Sequence, residues 1–279
     1  MMSERAEEGA GGEELAAPAV AADVYDKDYY LNSCGGSEEW SASDGAEYAG
    51  LYPGSLVRAG FREGETLVDI GTGRGELLAA AVDQGAASAI GIEYSPDAVE
   101  LAERTIERRD VGERAKVVLA DARRVPVDDD FADLVTLLDV VEHLTPPELD
   151  GALAEGLRIL RPGGRIVIHT MPTRTLYEVT YRLQRLSRPS RWRRWPKDPR
   201  VELERQMHVN EQTVPALRRS LRRAGFPDPE VGNGEWIHAT MIPEEDRAGV
   251  ERTYRRLAAR KLTARFGSAD IWAVAHKPG

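Results

Sequence analysis

Thr66-Leu67-Val68-Asp69-Ile70-Gly71-Thr72-Gly73-Arg74-Gly75 is the stretch that decides the fold. An apolar run stops at three closely spaced glycines and restarts as Glu76-Leu77-Leu78-Ala79-Ala80-Ala81-Val82, which reads as strand, tight turn, helix. Glycine suits a sharp reversal in which a ligand lies against bare backbone. Dinucleotide folds space these glycines Gly-x-Gly-x-x-Gly around a pyrophosphate. Here the third glycine comes one residue earlier, and Asp69 precedes the first. An acid in that place suits a ligand carrying an ammonium and sits badly beside a pyrophosphate.

The strands that follow also end in acids. Ala89-Ile90-Gly91-Ile92 ends in Glu93, about 20 residues past the glycines, where a carboxylate holds ribose hydroxyls. Tyr94 beside it can cover an adenine face. Ser95-Pro96-Asp97 then starts a helix with an N-cap serine, proline at the first helical position and an acid in the first turn. Lys116-Val117-Val118-Leu119-Ala120 ends in Asp121-Ala122, where a carboxylate can accept from an adenine amino group. Three acids at successive strand ends say far more than one glycine-rich turn.

Further on come Phe131-Ala132-Asp133-Leu134-Val135, Asp139-Val140-Val141-Glu142-His143-Leu144 and Leu160-Arg161-Pro162-Gly163-Gly164-Arg165-Ile166-Val167-Ile168. With these, the chain resembles the class I S-adenosylmethionine-dependent methyltransferases over residues 55–279. It is similar to the small-molecule group that includes the ubiquinone and menaquinone methyltransferases. The resemblance implies an α/β fold with a Rossmann-like, doubly wound, mostly parallel seven-stranded sheet whose last strand is antiparallel. The implied cofactor is S-adenosyl-L-methionine, with S-adenosyl-L-homocysteine as product. Asp69, Gly71, Gly73 and Gly75 then hold the methionine end, Glu93 the ribose, and Tyr94, Asp121 and Ala122 the adenine. Asp139 and Val140 line the donor pocket. Thr72, where many relatives carry Cys or another small residue, is counted as a contact made mostly by backbone.

Composition bounds the rest. At 279 residues the chain suits one elaborated domain, and no stretch approaches the ~18 consecutive apolar residues of a membrane span. The start, Met1-Met2-Ser3-Glu4-Arg5-Ala6-Glu7-Glu8, has no apolar signal core. Its single cysteine, Cys34, excludes an internal disulfide framework. A net charge of −10 argues against general nucleic-acid binding. The expectation is a soluble cytoplasmic protein acting on a small-molecule acceptor; no oligomeric state follows from the sequence.

Residues 1–22, rich in Glu, Ala and Gly without periodicity, read as a disordered tail. Residues 23–54 carry Tyr25, Tyr29, Tyr30, Cys34 and Trp40; the resemblance implies an N-terminal lid in which Tyr29 or Tyr30 faces the methyl donor, the plain alternative being an amphipathic helix that packs its aromatics on the domain. From Gly64 to His169 five strand-like runs alternate with helical or looped segments, as in a parallel sheet wound on both faces. Thr145-Pro146-Pro147-Glu148 is a capping box. Residues 171–207 are an insertion, expected to be a helical cap over the acceptor. A helix follows from Val214 to Gly225, another falls within 244–265 with Val250, Tyr254, Leu257 and Leu262 on one face, and Asp270 to Ala275 reads as the last strand.

Methyl transfer needs a bound donor, a nucleophile in line behind the methyl, and exclusion of water. His143, just past the fourth strand, is the first candidate for a general base, and His169, ending the fifth strand, is the second. His208, in Met207-His208-Val209-Asn210, is a candidate for orienting substrate, while His238 and His276 read as structural or exposed. No His-x3-His or Cys-x2-Cys spacing occurs, so no metal site is expected. Between Arg174 and Arg205 lie ten Arg or Lys against four acids. Leu176, Val179, Leu183 and Leu186 form a stripe, and Trp192 and Trp195 follow. Such a segment suits peripheral contact with an anionic membrane or a cap over a phosphorylated acceptor; the plain alternative is a solvated charge run paired with acids elsewhere. The functional expectation is O-methylation of a small metabolite, sugar, or lipid-linked or phosphorylated acceptor. Alternatives are C- or N-methylation of a secondary metabolite, and a non-catalytic S-adenosylmethionine-binding regulator. An aminopropyl transferase of the same fold would want clustered acids where the chain is arginine-rich, and an NAD enzyme fits the glycine spacing least.

Overall fold

The computed structural model describes residues 15–279. Three short helices come first, α1 (Lys27–Asn32), α2 (Ser37–Ser43) and α3 (Leu51–Arg58). Then β1 (Thr66–Ile70), α4 (Glu76–Asp83), β2 (Ser88–Glu93), α5 (Pro96–Arg108), β3 (Ala115–Leu119), β4 (Ala132–Leu138), α6 (Pro146–Ile159) and β5 (Leu160–Thr170) alternate. A wide π-helical turn, Leu176–Tyr181, opens the insertion and runs into α7 (Arg182–Leu186), α8 (Pro189–Arg194) and α9 (Glu202–Met207). The chain closes with α10 (Val214–Arg223), β6 (Glu230–Asn233), α11 (Glu244–Ala258) and β7 (Ile271–His276).

These strands form one seven-stranded sheet in the order β3-β2-β1-β4-β5-β7-β6. β1 to β5 are parallel, and β7 runs antiparallel to both β5 and β6. Successive strand residues face opposite sides, so β1 sends Val68 and Ile70 to one core and Leu67 to the other. The first core packs α6 through Leu149 and Leu153 and α10 through Leu217 and Leu221; the second packs α4 through Leu77 and Leu78 and α3 through Leu56. Helix starts follow their caps. Ser95 Oγ accepts from Ala98 N at 3.2 Å, and Glu148 Oε2 accepts from Thr145 N and Oγ1 at 2.7 and 2.6 Å. The strand order reverses between β1 and β4, which opens a crevice at the carboxyl edge where open α/β sheets bind ligands.

The structure corrects several expectations. Of the tail expected over residues 1–22, residues 1–14 lie outside the described residues, but 15–22 are docked. Arg123 Nη2 donates to Ala16 O and Ala19 N donates to Glu148 Oε1, and Val20 is buried. The apolar stripe of the insertion divides between inside and outside. Because a π-turn advances each residue by less than an α-turn, Leu176, Tyr177, Thr180 and Tyr181 are buried, while Leu183 and Leu186 are 62 % and 54 % exposed. Trp195 is buried, with Nε1 donating to Asp246 Oδ2 at 2.8 Å, whereas Trp192 is exposed. The cap therefore has its own small core, in which Tyr177, Tyr181 and Trp195 meet Ile242, Val250 and Tyr254 from the region of α11. Leu262 falls beyond α11 and is 89 % exposed.

Candidate active site

The crevice holds a cavity of about 790 Å3 running from the glycine turn to the cap. Asp69, Gly71, Thr72, Gly73, Glu93, Tyr94, Asp121, Ala122, Asp139, Val140, His143, His169, His208, Tyr29 and Tyr30 all line it. Gly75, expected among the cofactor contacts, does not. It caps α4 at φ +77°, and a Cβ there would stand 3.0 Å from Ala102 Cβ, so its glycine is needed for packing α4 against α5. Gly71, at φ +78°, is the one whose missing side chain keeps the cavity open, since a Cβ would collide with Val140.

At the donor end Glu93 is buried, and both its oxygens organise backbone. Oε2 accepts from Gly73 N at 2.8 Å, and Oε1 accepts from Tyr94 N at 2.7 Å and Ser95 N at 2.9 Å. Burial raises its pKa, and these three amides oppose the rise. Asp69 is also buried. Desolvation pushes its pKa up to about 6, against the hydroxyl of Thr136, which donates to Oδ1 at 2.6 Å. Asp121 accepts from Arg123 through Nε at 2.9 Å and Nη2 at 2.7 Å; burial raises its pKa, but the guanidinium outweighs burial and holds it below the usual range.

Tyrosines of the N-terminal segment cross this end. Ser95 Oγ donates to Tyr25 O at 2.6 Å, Lys27 N donates to Asp97 Oδ2 at 3.1 Å, and Tyr29 meets Tyr25 and Tyr30 edge to face with centroids 5.7 and 5.0 Å apart. Sequence reasoning missed the residue that holds the lid. Arg74, between the second and third glycines of the motif, is buried; it donates to Tyr30 O and to Gly35 O and pairs with Glu76 at 2.9 Å. An arginine between two glycines reads as solvent-facing turn, and nothing in the sequence signals that residues 30–35 will cover it.

The other end of the cavity is built by strand ends and the insertion. Asp139 follows β4 at φ +55°, a conformation that Asp tolerates better than most residues, and its side chain is 51 % exposed toward the cavity. Its Oδ1 lies 2.9 Å from His169 Nδ1, while His169 Nε2 lies 3.5 Å from Asp270 Oδ2 and the ring stacks on Trp272 at 4.6 Å. Burial works to discharge His169, but the two carboxylates win and push its pKa up to about 10. Held in that state by two carboxylates, His169 is a poorer proton acceptor than its place at the strand end alone suggests. His143 is the opposite case: burial, then His208 nearby, lowers its pKa to about 3, leaving a neutral ring of weak basicity. Glu142 is buried and pushed up to about 8 by desolvation and then by Asp139, against the Thr170 hydroxyl, which donates to Oε2 at 2.8 Å. His238, expected to be structural or exposed, also lines the cavity. Short-range spacing gives no reason to expect a metal site, but folding brings one donor atom each of Glu142, His143 and His208 to within 4.8 Å of one another. Short-range spacing could not reveal it, because His208 comes from the far side of the insertion.

Residues 68–168 match the family model for a methyltransferase domain. This stretch is similar to the methyltransferase domains of the class I S-adenosylmethionine-dependent kind. A 27-O-demethylrifamycin SV methyltransferase from Amycolatopsis mediterranei is 33% identical over 107 residues, 38% of this chain and 39% of that protein. A demethylmenaquinone methyltransferase from Clavibacter sepedonicus is 31% identical over 145 residues, 52% of each chain. The chain thus spans about half or less of the length of these curated relatives. Among solved structures, a SAM-dependent methyltransferase from Archaeoglobus fulgidus superposes with a TM-score of 0.54 at 24% identity, covering 81% of this chain and 93% of that one, which is a likeness of fold. The family's cofactor is S-adenosyl-L-methionine, and the cavity fits it. The bare face of Gly71 leaves room for the ligand, Asp69 offers a carboxylate near it, and Glu93 closes the end of β2.

Proposed function

We propose that the protein transfers the methyl group of S-adenosyl-L-methionine to an oxygen of a small organic acceptor held between the lid and the cap. The observation that carries this reading is one continuous cavity, within the size range of small-molecule sites, joining the glycine turn and Glu93 to Asp139, His169 and His208. In this reading Asp69, Gly71 and Gly73 hold the methionine end, Glu93 the ribose, and Tyr94, Asp121 and Ala122 the adenine, with Thr72 and Val140 as walls. The donor supplies an electrophilic methyl on a sulfonium; the chain supplies position and a dry site. Tyr25, Tyr29 and Tyr30 exclude water from above. The His169 imidazolium keeps Asp139 oriented from below.

Oxygen is favoured over a cationic nitrogen acceptor because the nearby acids are already compensated. Asp270 accepts from Trp236 N at 2.9 Å and Trp272 Nε1 at 3.0 Å and faces His169, and burial disfavours the charged form of Glu142. A second reading concerns location: exposed Leu183, Leu186 and Trp192 on the basic segment 174–205 support peripheral contact with an anionic membrane. No helix among the described residues is long and apolar enough to cross one.

The test of the donor is calorimetric titration with S-adenosyl-L-methionine, S-adenosyl-L-homocysteine and NAD, repeated with Glu93→Ala. We expect micromolar binding of the adenosyl ligands only, weakened at least tenfold by the substitution, followed by turnover in a panel of hydroxylated acceptors. NAD binding without adenosyl binding would overturn the reading, and adenosyl binding with no turnover on any acceptor would favour a regulator.

A further inference from the structure

The wall behind Asp139 carries chemistry that the donor site does not use. Glu142 and His143 sit in the turn after β4, and His208 arrives just past α9. One donor atom from each lies within 4.8 Å of the others. Nδ1 of His143 and Nδ1 of His208 are both buried, and neither has a hydrogen-bond partner among the described residues. Buried polar atoms are almost always satisfied, because leaving one bare costs its desolvation; two such nitrogens beside a carboxylate ask for a common partner. The two rings meet edge to face at 4.9 Å.

The surroundings hold these groups in place. Thr170 Oγ1 donates to Glu142 Oε2 at 2.8 Å, and Asn210 N donates to Glu142 O at 2.9 Å, tying the turn that carries His208 to the turn that carries Glu142. Metal-binding carboxylates are held by outer partners of this kind.

We propose that Glu142, His143 and His208 form a binding site for a divalent first-row transition metal, which takes an acceptor oxygen in an open position. The metal half stands alone; the acceptor half rests on the methyl-transfer reading above. Two imidazoles and one carboxylate make an open three-ligand set of the catalytic kind, leaving a position for water or substrate. Mg2+ and Ca2+ fit less well because they prefer oxygen ligands throughout. With bonds of ~2.1 Å the donors of a bound metal stand about 3.4 Å apart, so the side chains close by roughly an ångström. A metal-bound hydroxyl loses its proton to solvent near neutral pH. Its oxygen then forms the C–O bond as the methyl C–S bond breaks, and the sulfonium becomes a neutral thioether.

Untagged full-length protein, stripped with a chelator, is titrated with Co2+ and followed by visible absorption, then with Zn2+ in competition. The expected result is one Co2+ per chain, displaced by Zn2+. Thr170→Val, which removes an outer contact, weakens metal binding by about 10–100-fold, and Glu142→Gln or His208→Ala weakens it by at least as much. His276→Ala, an exposed histidine at the end of β7, binds like the wild type. S-adenosyl-L-homocysteine affinity is measured on every sample and stays within about twofold of wild type, which shows that each variant is folded. Absence of Co2+ and Zn2+ binding in the wild type, or binding that survives both Glu142→Gln and His208→Ala, overturns the site. Metal bound as expected with no affinity for S-adenosyl-L-homocysteine upholds the metal and overturns methyl transfer.

Discussion

His169 faces a carboxylate on each side, Asp139 at its Nδ1 and Asp270 near its Nε2, with Glu142 also acting on this end of the site. Its folded pKa of about 10 lies above the ordinary histidine value of 6.5. The resulting stabilisation is therefore fully present below about pH 6.5 and disappears as pH rises through about 10. Each tenfold gain in proton affinity corresponds to about 1.4 kcal/mol. Urea unfolding of wild type against His169→Asn should show the wild type losing roughly 2–5 kcal/mol relative to the variant between those limits. Parallel pH profiles would mean that the imidazolium is not held there. The sequence places His169 at a strand end but cannot say that Asp270, at the start of the last strand, stands against it. Glu93 and Asp121 are legible because each is the first polar residue after an apolar run in a repeating unit. The cluster of Glu142, His143 and His208 is not, because its members meet only once the insertion folds back.

Among the elements, the lid formed by α1 and α2 is latched from below. Trp40 Nε1 donates to Thr105 Oγ1 at 2.7 Å, Lys27 Nζ pairs with Glu100 at 2.7 Å, and Arg74 reaches up to the carbonyls of Tyr30 and Gly35. Arg74 and Glu76 are both buried, so Arg74→Met leaves an uncompensated carboxylate and should cost about 3–5 kcal/mol. Replacing both, as Arg74→Met with Glu76→Leu, should recover most of that stability while leaving the two lid carbonyls without their donor. The double variant should then be cut faster within residues 31–36 in limited proteolysis and bind the donor more weakly. Wild-type proteolysis in a stable double variant would show that Arg74 is packing and not a latch. Regular elements are legible where period and caps agree, as in α5, α6 and α10. β6 escapes notice because Val231 is its only buried residue. In the insertion the first turn is π-helical, so a stripe spaced for an α-helix starts buried at Leu176 and ends exposed at Leu183 and Leu186.

Over the whole molecule the basic segment is less free than its composition suggests. Arg174 pairs with Glu178, Arg191 and Arg194 with Asp246, Arg200 with Glu211 and Arg205 with Glu202, so much of the run is tied to acids within the cap and on α11. Arg182, Arg188, Arg193 and Lys197 make no ion pair or side-chain hydrogen bond among the described residues. Exposed Leu183, Leu186 and Trp192 belong to the same segment. A cation near an anionic bilayer contributes about 1 kcal/mol, so four give roughly 4 kcal/mol before any apolar insertion. The rest of the chain, at a net −10 overall, is repelled by the same surface. The balance favours a weak, reversible and oriented contact. Co-sedimentation should show binding to phosphatidylglycerol vesicles, little to phosphatidylcholine vesicles, and release as salt rises toward about 0.5 M, where screening is strong. Trp192→Ser with Leu186→Ser should abolish binding while leaving donor affinity unchanged, because both side chains are exposed and neither lines the cavity. Equal sedimentation with both lipids, or none with either, would reduce the cap to a solvated, internally paired charge run whose work is to roof the acceptor end of the cavity.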